Sequence, residues 1–432
     1  MTLWEQLSAD PATIFWTIAV GAVSNIACAI MGTFLLLRRM CLLGDAISHA
    51  VLPGIVIAFL LTGQIASGPM FIGALILGIT TAVLTQTLHT LGKVPEDASM
   101  GVVFTSLFAV GVVLINRGGD VDLDPGCVLY GLIEGVPLNT VLLEGWEIPR
   151  AMFTLTGVLL VTLLFVTLFW KELKISSFDP MLATSMGISA LLMHYLIMAM
   201  VATVTVAAFE SVGSILVVAM LIVPAAAAHL LTDRLLTTVV LAAGIGALSS
   251  LLGCLFAMML NTSVAGMMAV SAGGLFTCSL LLAPRHGLVS KAWHRWLLAV
   301  RIASEDIIAG LYRLEEERGK GVILDHKAAC LLASGRLAAR RGLARLALRN
   351  EVELVDKTVQ LTVAGRQLAK SLVRSHRLWE SFLGENFDLP LDHLHEPAEQ
   401  IEHFIGPQLQ EELASLLETP KQDPHGRDIP PG

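Results

Sequence analysis

At 432 residues, with 55% hydrophobic and only 15% charged side chains, the chain is too apolar for an ordinary soluble protein and long enough for more than one domain. Its net charge of -8 averages two unlike parts, because apolar runs dominate up to about residue 290 and Arg, Glu and His become frequent after it; the overall balance therefore identifies no partner. Cysteines 28, 41, 127, 254, 278 and 330 form no CxxC pair and read as apolar fillers, which argues against a disulfide scaffold or a thiolate zinc site.

Apolar runs at 13–37, 41–62, 69–91, 99–115, 151–170, 187–208, 212–231, 236–260 and 264–283 predict eight or nine membrane-spanning helices. No Lys or Arg precedes Arg38, so the first run lacks the basic start of a cleavable signal and is expected to stay in the mature protein. Arg38 and Arg39, Lys93, Lys171 and Lys174, Arg234, and Arg285 fall on alternate connections. By the positive-inside rule those connections are cytoplasmic, which puts the N-terminus outside and the tail inside. The intervening stretch 116–149 carries Asp120, Asp122, Asp124, Glu134, Glu144 and Glu147 against Arg117. It reads equally as an acidic vestibule for an incoming cation and as an ordinary solvated loop.

The second run, CLLGDAISHAVLPGIVIAFLLT, carries Asp45 and His49 four residues apart, so acid and imidazole share one helix face. At helical rise His49 lies roughly 12 Å in from the Arg39 end. Pro53 withholds the amide that would bond the carbonyl of His49. The bland reading is a pair that holds the bundle together. Ionisable groups at membrane depth are costly, however, and a cation path explains that cost better. The string LLGDAISHAVLPGI, residues 42–55, resembles the signature of the ABC-3 permeases, the membrane subunits of bacterial ABC importers for manganese, zinc and iron.

Farther along, ISSFDPMLATSMGIS (175–189) has an Asp-Pro that starts a short helix and a Gly that ends it. Segments similar to its FDPxxAxxxG core form the ATPase-coupling helix of ABC-3 permeases, which assigns Phe178, Asp179, Pro180 and Gly187 to coupling. In AFESVGSILVVAMLIVPAAAAHLLTDR (208–234), also similar to the family pattern, Glu210 sits where one helix hands over to the next and reads as a turn residue or a gate ligand. The resemblance covers about 13–285. No stretch satisfies GxxxxGK[ST], so a separate ATPase subunit is expected to hydrolyse ATP and this chain is not expected to be an enzyme.

After residue 303 the pattern is that of a mostly α cytoplasmic domain. SEDIIAGLYRLEEE predicts a helix capped by Ser304, and VELVDKTVQL a hairpin at Val352–Leu361. Five arginines between 336 and 349 make a basic stripe. Farther on, RSHRLWESFL and DHLHEPAEQIEHFI place His376 with Glu380, and Glu399 with Glu402 and His403, at helical spacing. Carboxylates with imidazole and no thiolate suit manganese or ferrous iron. Residues 304–430 resemble the DtxR/MntR metal-dependent repressors, in EDIIAGLYRLEEE, LTVAGRQLAKSLVRSHRLWESFL, HLHEPAEQIEHFI and DPHGRDIP. The resemblance implies one metal site of Asp306, Glu399, Glu402 and His403, and another of His376, Glu380 and His395. It also implies a winged-helix-like region over 303–371 and a metal-binding and dimerisation region over 372–432, behind a permease domain over 1–290. A third, SH3-like domain is not expected. The reading helix, RLAARRGLARLALR, lacks the Ser, Thr and Gln side chains that contact base edges, and Ala309 replaces an acid of some manganese sensors, so DNA binding is not expected.

These readings together predict a polytopic all-α inner-membrane permease of an ATP-driven importer of Mn2+ with a metal-sensing tail. Zn2+ or Fe2+ import, or a membrane-tethered metal-responsive regulator, are the alternatives. Expected partners are an ABC ATPase subunit, a second permease subunit, identical or related, and an extracytoplasmic metal-binding protein.

Overall fold

The structure, a computed structural model, describes residues 11–62, 67–117, 133–143, 146–319, 321–387, 389–418 and 420–431. Asp120, Asp122, Asp124, Cys127 and Glu144 lie outside the described residues. The chain divides into two compact units, Met1–Ser290 and Lys291–Gly432.

The first unit is a helical bundle: α1 (Pro11–Leu37), α2 (Leu43–Ala50), α3 (Leu52–Thr62), α4 (Ser67–Thr90), α5 (Glu96–Arg117), α6 (Arg150–Leu168), α7 (Trp170–Phe178), α8 (Pro180–Ser185), α9 (Ala190–Val212), α10 (Ser214–Leu231), α11 (Leu235–Leu260) and α12 (Val264–Leu282). A hairpin of β1 (Thr140–Leu143) and β2 (Trp146–Pro149) precedes α6. Among the described residues eight segments are long and apolar enough to cross a bilayer, α2 and α3 together forming one of them, and α10 supplies a shorter apolar helix. The unit is thus an all-α polytopic membrane domain.

Helix α1 is the centre, packed against α6, α9, α10 and α11. Small residues allow this. A Cβ added at Gly32 would lie 1.8 Å from the carbonyl oxygen of Leu221, so α1 and α10 touch backbone to backbone. Gly54 of α3 and Gly73 of α4 likewise meet carbonyl against Cα. The amide of Asn25 bridges to the hydroxyls of Ser249 and Ser250 at 3.0 and 3.2 Å, a polar contact inside an apolar bundle.

The second unit begins in α13 (Leu288–Arg318), followed by β3 (Leu324–Asp325), α14 (His326–Cys330), α15 (Arg336–Leu348), β4 (Val352–Val355), β5 (Thr358–Leu361), α16 (Val363–Asn386), α17 (His395–Ile401) and α18 (Pro407–Leu416). Strand order β3-β5-β4 makes a small antiparallel sheet against α15 and α16. The hairpin at 352–361 pairs Val352 with Leu361 and turns at Asp356 and Lys357, both left-handed. Arg366 on α16 clamps Glu315 on α13 through two 2.8 Å bonds.

One expectation is corrected. Ser304 caps nothing: it is buried in mid-helix, its hydroxyl donating to the carbonyl of Val300 at 2.7 Å. The preceding LVSKAWHRWLLAVRIA has no Gly or Pro to stop a helix, so α13 starts at Leu288 and the serine satisfies itself on the preceding turn.

Candidate metal sites

In the membrane unit the span of Asp45 and His49 tightens locally at Val51 while its backbone stays helical. Val51 sits between α2 and α3, two residues before Pro53. The one-turn offset brings His49 Nε2 to 3.5 Å from Asp45 Oδ1, with both side chains about half-buried. The imidazole lies between Phe104 and Phe108 of α5, ring centroids 6.1 and 6.2 Å away. Among the described residues no third His, Cys, Asp or Glu completes a cluster there. Glu210 is in the last turn of α9 rather than in a turn between helices; the break comes at Gly213, φ +83°. It is exposed into a cavity of about 530 Å³, whose lining also includes Asn139, Arg150 and Ser211. Asp45 and His49 do not line that cavity.

At the coupling segment Asp179 accepts hydrogen bonds from the amides of Met181 (3.0 Å) and Leu182 (2.9 Å), capping α8, and Pro180 occupies its first position. Gly187, φ +83°, ends the segment. Phe178 and Met181 are exposed at 60% and 84%, an apolar knob without a partner among the described residues.

The second unit gathers two clusters of metal-ligating groups, His376–Glu380–His395 and Asp306–Glu402–His403. The first is built from successive turns of α16 and the first residue of α17. His376 Nε2 is 3.0 Å from Glu380 Oε1 and 3.0 Å from His395 Nδ1, which is itself 2.9 Å from Glu380 Oε1. Three donor atoms in such a triangle cannot all be satisfied by protons. Two protonated nitrogens would oppose each other, and an unprotonated one would oppose the carboxylate. The three atoms do lie close enough together for one divalent cation to contact all of them. A divalent cation therefore fits these residues, and it would supply charge to hold α16 and α17 together.

Glu402 links the clusters. Its Oε2 is 2.6 Å from His376 Nδ1 and 3.2 Å from Arg313. His376 Nδ1 thus lies close against a carboxylate, although the alignment does not make a hydrogen bond. Glu402→Ala is expected to remove a ligand from one cluster and weaken binding at the other by about 10–100-fold, since its carboxylate lies against His376. Titration calorimetry of the tail with Mn2+ reads this as loss of both binding steps; an unaffected His376 cluster would refute the link. Glu399 is exposed and belongs to neither cluster among the described residues.

Electrostatics fit a cation. Burial opposes charge on His403, but hydrogen bonds to Asp306 (3.1 Å) and Glu305 (2.9 Å) outweigh it and push the imidazolium up to about 9. Burial likewise raises the Glu380 carboxyl, yet His376 and His395 pull it down to about 2. Because the folded His403 value lies above its ordinary 6.5, the metal-free tail is stabilised by this proton below pH 6.5 and loses that contribution as pH rises through about 9. A metal must displace the proton, so apparent Mn2+ affinity is expected to climb by up to roughly tenfold per pH unit between those values. Flat affinity between pH 7 and 9 would remove His403 from the ligand set.

Spacing showed the paired histidines and acids, but two contributors have no such signal: Arg313 and Glu305 reach the clusters from α13, about 90 residues away in sequence.

Comparisons with known proteins agree with this division. The ABC 3 transport family model matches residues 11–283. A model described as iron dependent repressor, metal binding and dimerisation domain matches 362–431. The manganese transport system membrane protein MntD of Bacillus subtilis is 50% identical over 278 residues, covering 64% of this chain and 94% of MntD. The zinc transport system membrane protein TroD of Treponema pallidum is 39% identical over 358 residues, 82% of this chain and 97% of TroD. Among solved structures, PsaBC from Streptococcus pneumoniae in complex with Fab matches with a TM-score of 0.56 and 32% identity, over 67% of this chain and 98% of that one. With the family pattern running through the whole helical bundle and the metal-binding model confined to the unit behind it, the chain belongs to the ABC 3 transport family and carries a DtxR/MntR-like metal-binding domain at its C-terminal end.

Proposed function

We propose that this chain is the membrane subunit of an ATP-driven importer of divalent transition metal, with manganese as cargo, and that its C-terminal unit senses the same metal in the cytoplasm. The observation that carries the reading is the Asp45–His49 pair inside an apolar span, within a bundle that matches the permease family throughout. Two protein ligands hold a divalent ion loosely enough to release it, which a transport path requires. Glu210 in its cavity would receive the ion on the outer side. The apolar knob of Phe178 and Met181, held by the Asp179 cap, Pro180 and the Gly187 turn, would dock on a separate ATPase subunit. A second permease subunit and an extracytoplasmic binding protein complete the assembly. The N-terminus lies outside and the tail inside.

In the tail the carboxylate and imidazole set of His376, Glu380 and His395, without a thiolate, favours Mn2+ or Fe2+. Glu399, one turn before His403 and exposed, would have to turn inward to act as a further ligand of the Asp306–Glu402–His403 cluster. Metal-bound and metal-free tails would bias the transport equilibrium only through different affinities in its two states. Zinc is the second reading, favoured by the similarity to TroD. The test is radiolabelled manganese uptake by cells carrying this chain and its transporter partners, with zinc and iron as competitors. Uptake that requires the ATPase and yields to excess manganese before zinc supports the reading. Preferential competition by zinc would reassign the cargo, and tail-ligand variants with an unchanged metal-concentration dependence would sink the sensing role.

A further inference from the structure

A pocket of about 290 Å³ opens where four helix ends meet, and its chemistry is that of an anion site. Arg38 and Arg39 follow the end of α1, His89 is in the last turn of α4, Ser176 and Ser177 are in the last turn of α7, and His194 is in the second turn of α9. Arg38 is half-buried, yet its guanidinium reaches only neutral partners: Nη2 donates to Ser176 Oγ at 2.9 Å and Nε to Ser177 Oγ at 3.3 Å. Among the described residues no carboxylate lies within ion-pairing distance of Arg38 or Arg39. Carbonyl ends of helices explain why arginines gather here, but not why most of the guanidinium donors stay unspent. Leaving a desolvated cation without a counter-ion is costly, and the described residues offer none.

The other polar groups of the lining carry no negative charge. The Nδ1 of His89 is 2.8 Å from the carbonyl of Val94 and so carries the proton, which fixes the ring. The Nε2 of His194 is buried with no hydrogen-bond partner. Arg39 also sits at φ +61°, where a helix ordinarily ends in glycine, so a charged side chain is kept at the cost of about 1 kcal/mol of backbone strain.

We propose that this pocket binds a phosphoryl group, that of an anionic phospholipid of the inner leaflet, and that the bound headgroup joins α1 to the α7–α8 corner beside the coupling helix. Basic pockets between membrane helices on the cytoplasmic side suit such headgroups, and an arginine with unspent forked donors suits a phosphodiester. Pro180, the first residue of α8, lines the same pocket, so the lipid would brace the segment that meets the ATPase. The choice of leaflet rests on the orientation given under the proposed function.

The full chain, purified and delipidated, is titrated in nanodiscs with phosphatidylglycerol in a phosphatidylcholine background, and bound lipid is counted by native mass spectrometry. One tightly held phosphatidylglycerol is expected, with affinity about tenfold lower in Arg38→Gln, a loss typical of one hydrogen bond to a charged group. Arg38→Lys should retain most of it, and Arg39→Gln, at an exposed position, should lower it without disturbing the fold. Equal retention by wild type, Arg38→Gln and Arg39→Gln overturns the proposal. Displacement by inorganic phosphate at millimolar concentration transfers the site to free phosphate and overturns the lipid assignment. Release of the lipid on adding the ATPase subunit assigns the arginines to a carboxylate of that partner, with the same consequence. Labelling of Arg39→Cys from outside intact cells would overturn the orientation alone, because lipid counting does not depend on it.

Discussion

Asp45→Asn and His49→Ala are each expected to lower manganese uptake by on the order of 100-fold while the protein reaches the membrane in normal amounts. Loss of a partner that merely orients a ligand costs about 10–100-fold in metal binding, and loss of a direct ligand costs at least the upper end of that range. The two side chains lie 3.5 Å apart on one face of α2, and no third metal-ligating residue joins them among the described residues. Neither substitution removes a packing anchor, since both side chains are only about half-buried. Asp45→Asn also keeps the shape and tests charge alone. Uptake unchanged in both variants would reduce the pair to a structural contact and leave the tail clusters as the chain's metal chemistry.

The second large effect is on folding. Gly32→Ala is expected to leave almost no folded protein, because its Cβ would lie 1.8 Å from the carbonyl oxygen of Leu221 and neither backbone can yield without moving a helix. Overpacking of this kind costs about 3 kcal/mol or more, a large part of a typical stability. Gly253→Ala, at 2.3 Å from the Cα of Met268, should behave alike. The contrast is Gly157→Ala and Gly273→Ala, where nothing lies within 4 Å and helix propensity alone favours the change. Thermal unfolding in detergent measures all four. A Gly32→Ala protein that melts like Gly157→Ala would refute the backbone contact between α1 and α10.

Much of this was legible in the residues, for physical reasons. Runs such as 236–260 read as spans because hydrocarbon demands length and apolarity whatever the neighbours are. The Asp179 cap and the Gly187 turn were legible because both act within a few residues. Two things were hidden. Ser304 has the look of a helix start, but the choice between capping and continuing was made upstream, in a segment with nothing to stop it. The Glu402 bridge and Arg313 come from packing between distant elements, which no spacing encodes. Glu210 was placed near the right boundary, yet only the cavity reveals that it faces open space.

The tightening at Val51 bears on how the protein is made. The eight residues of α2 hold Asp45 and His49, two polar groups that make insertion of the stretch less favourable. The eleven apolar residues of α3 are too few to offset that and cross by themselves. Because α2 packs on α9 and α10 as well as on α4 and α5, the segment gains its full set of partners only after residues far downstream have left the ribosome. A nascent chain halted after Thr62 would hold this stretch at the bilayer surface, and its entry would be among the late events of biogenesis.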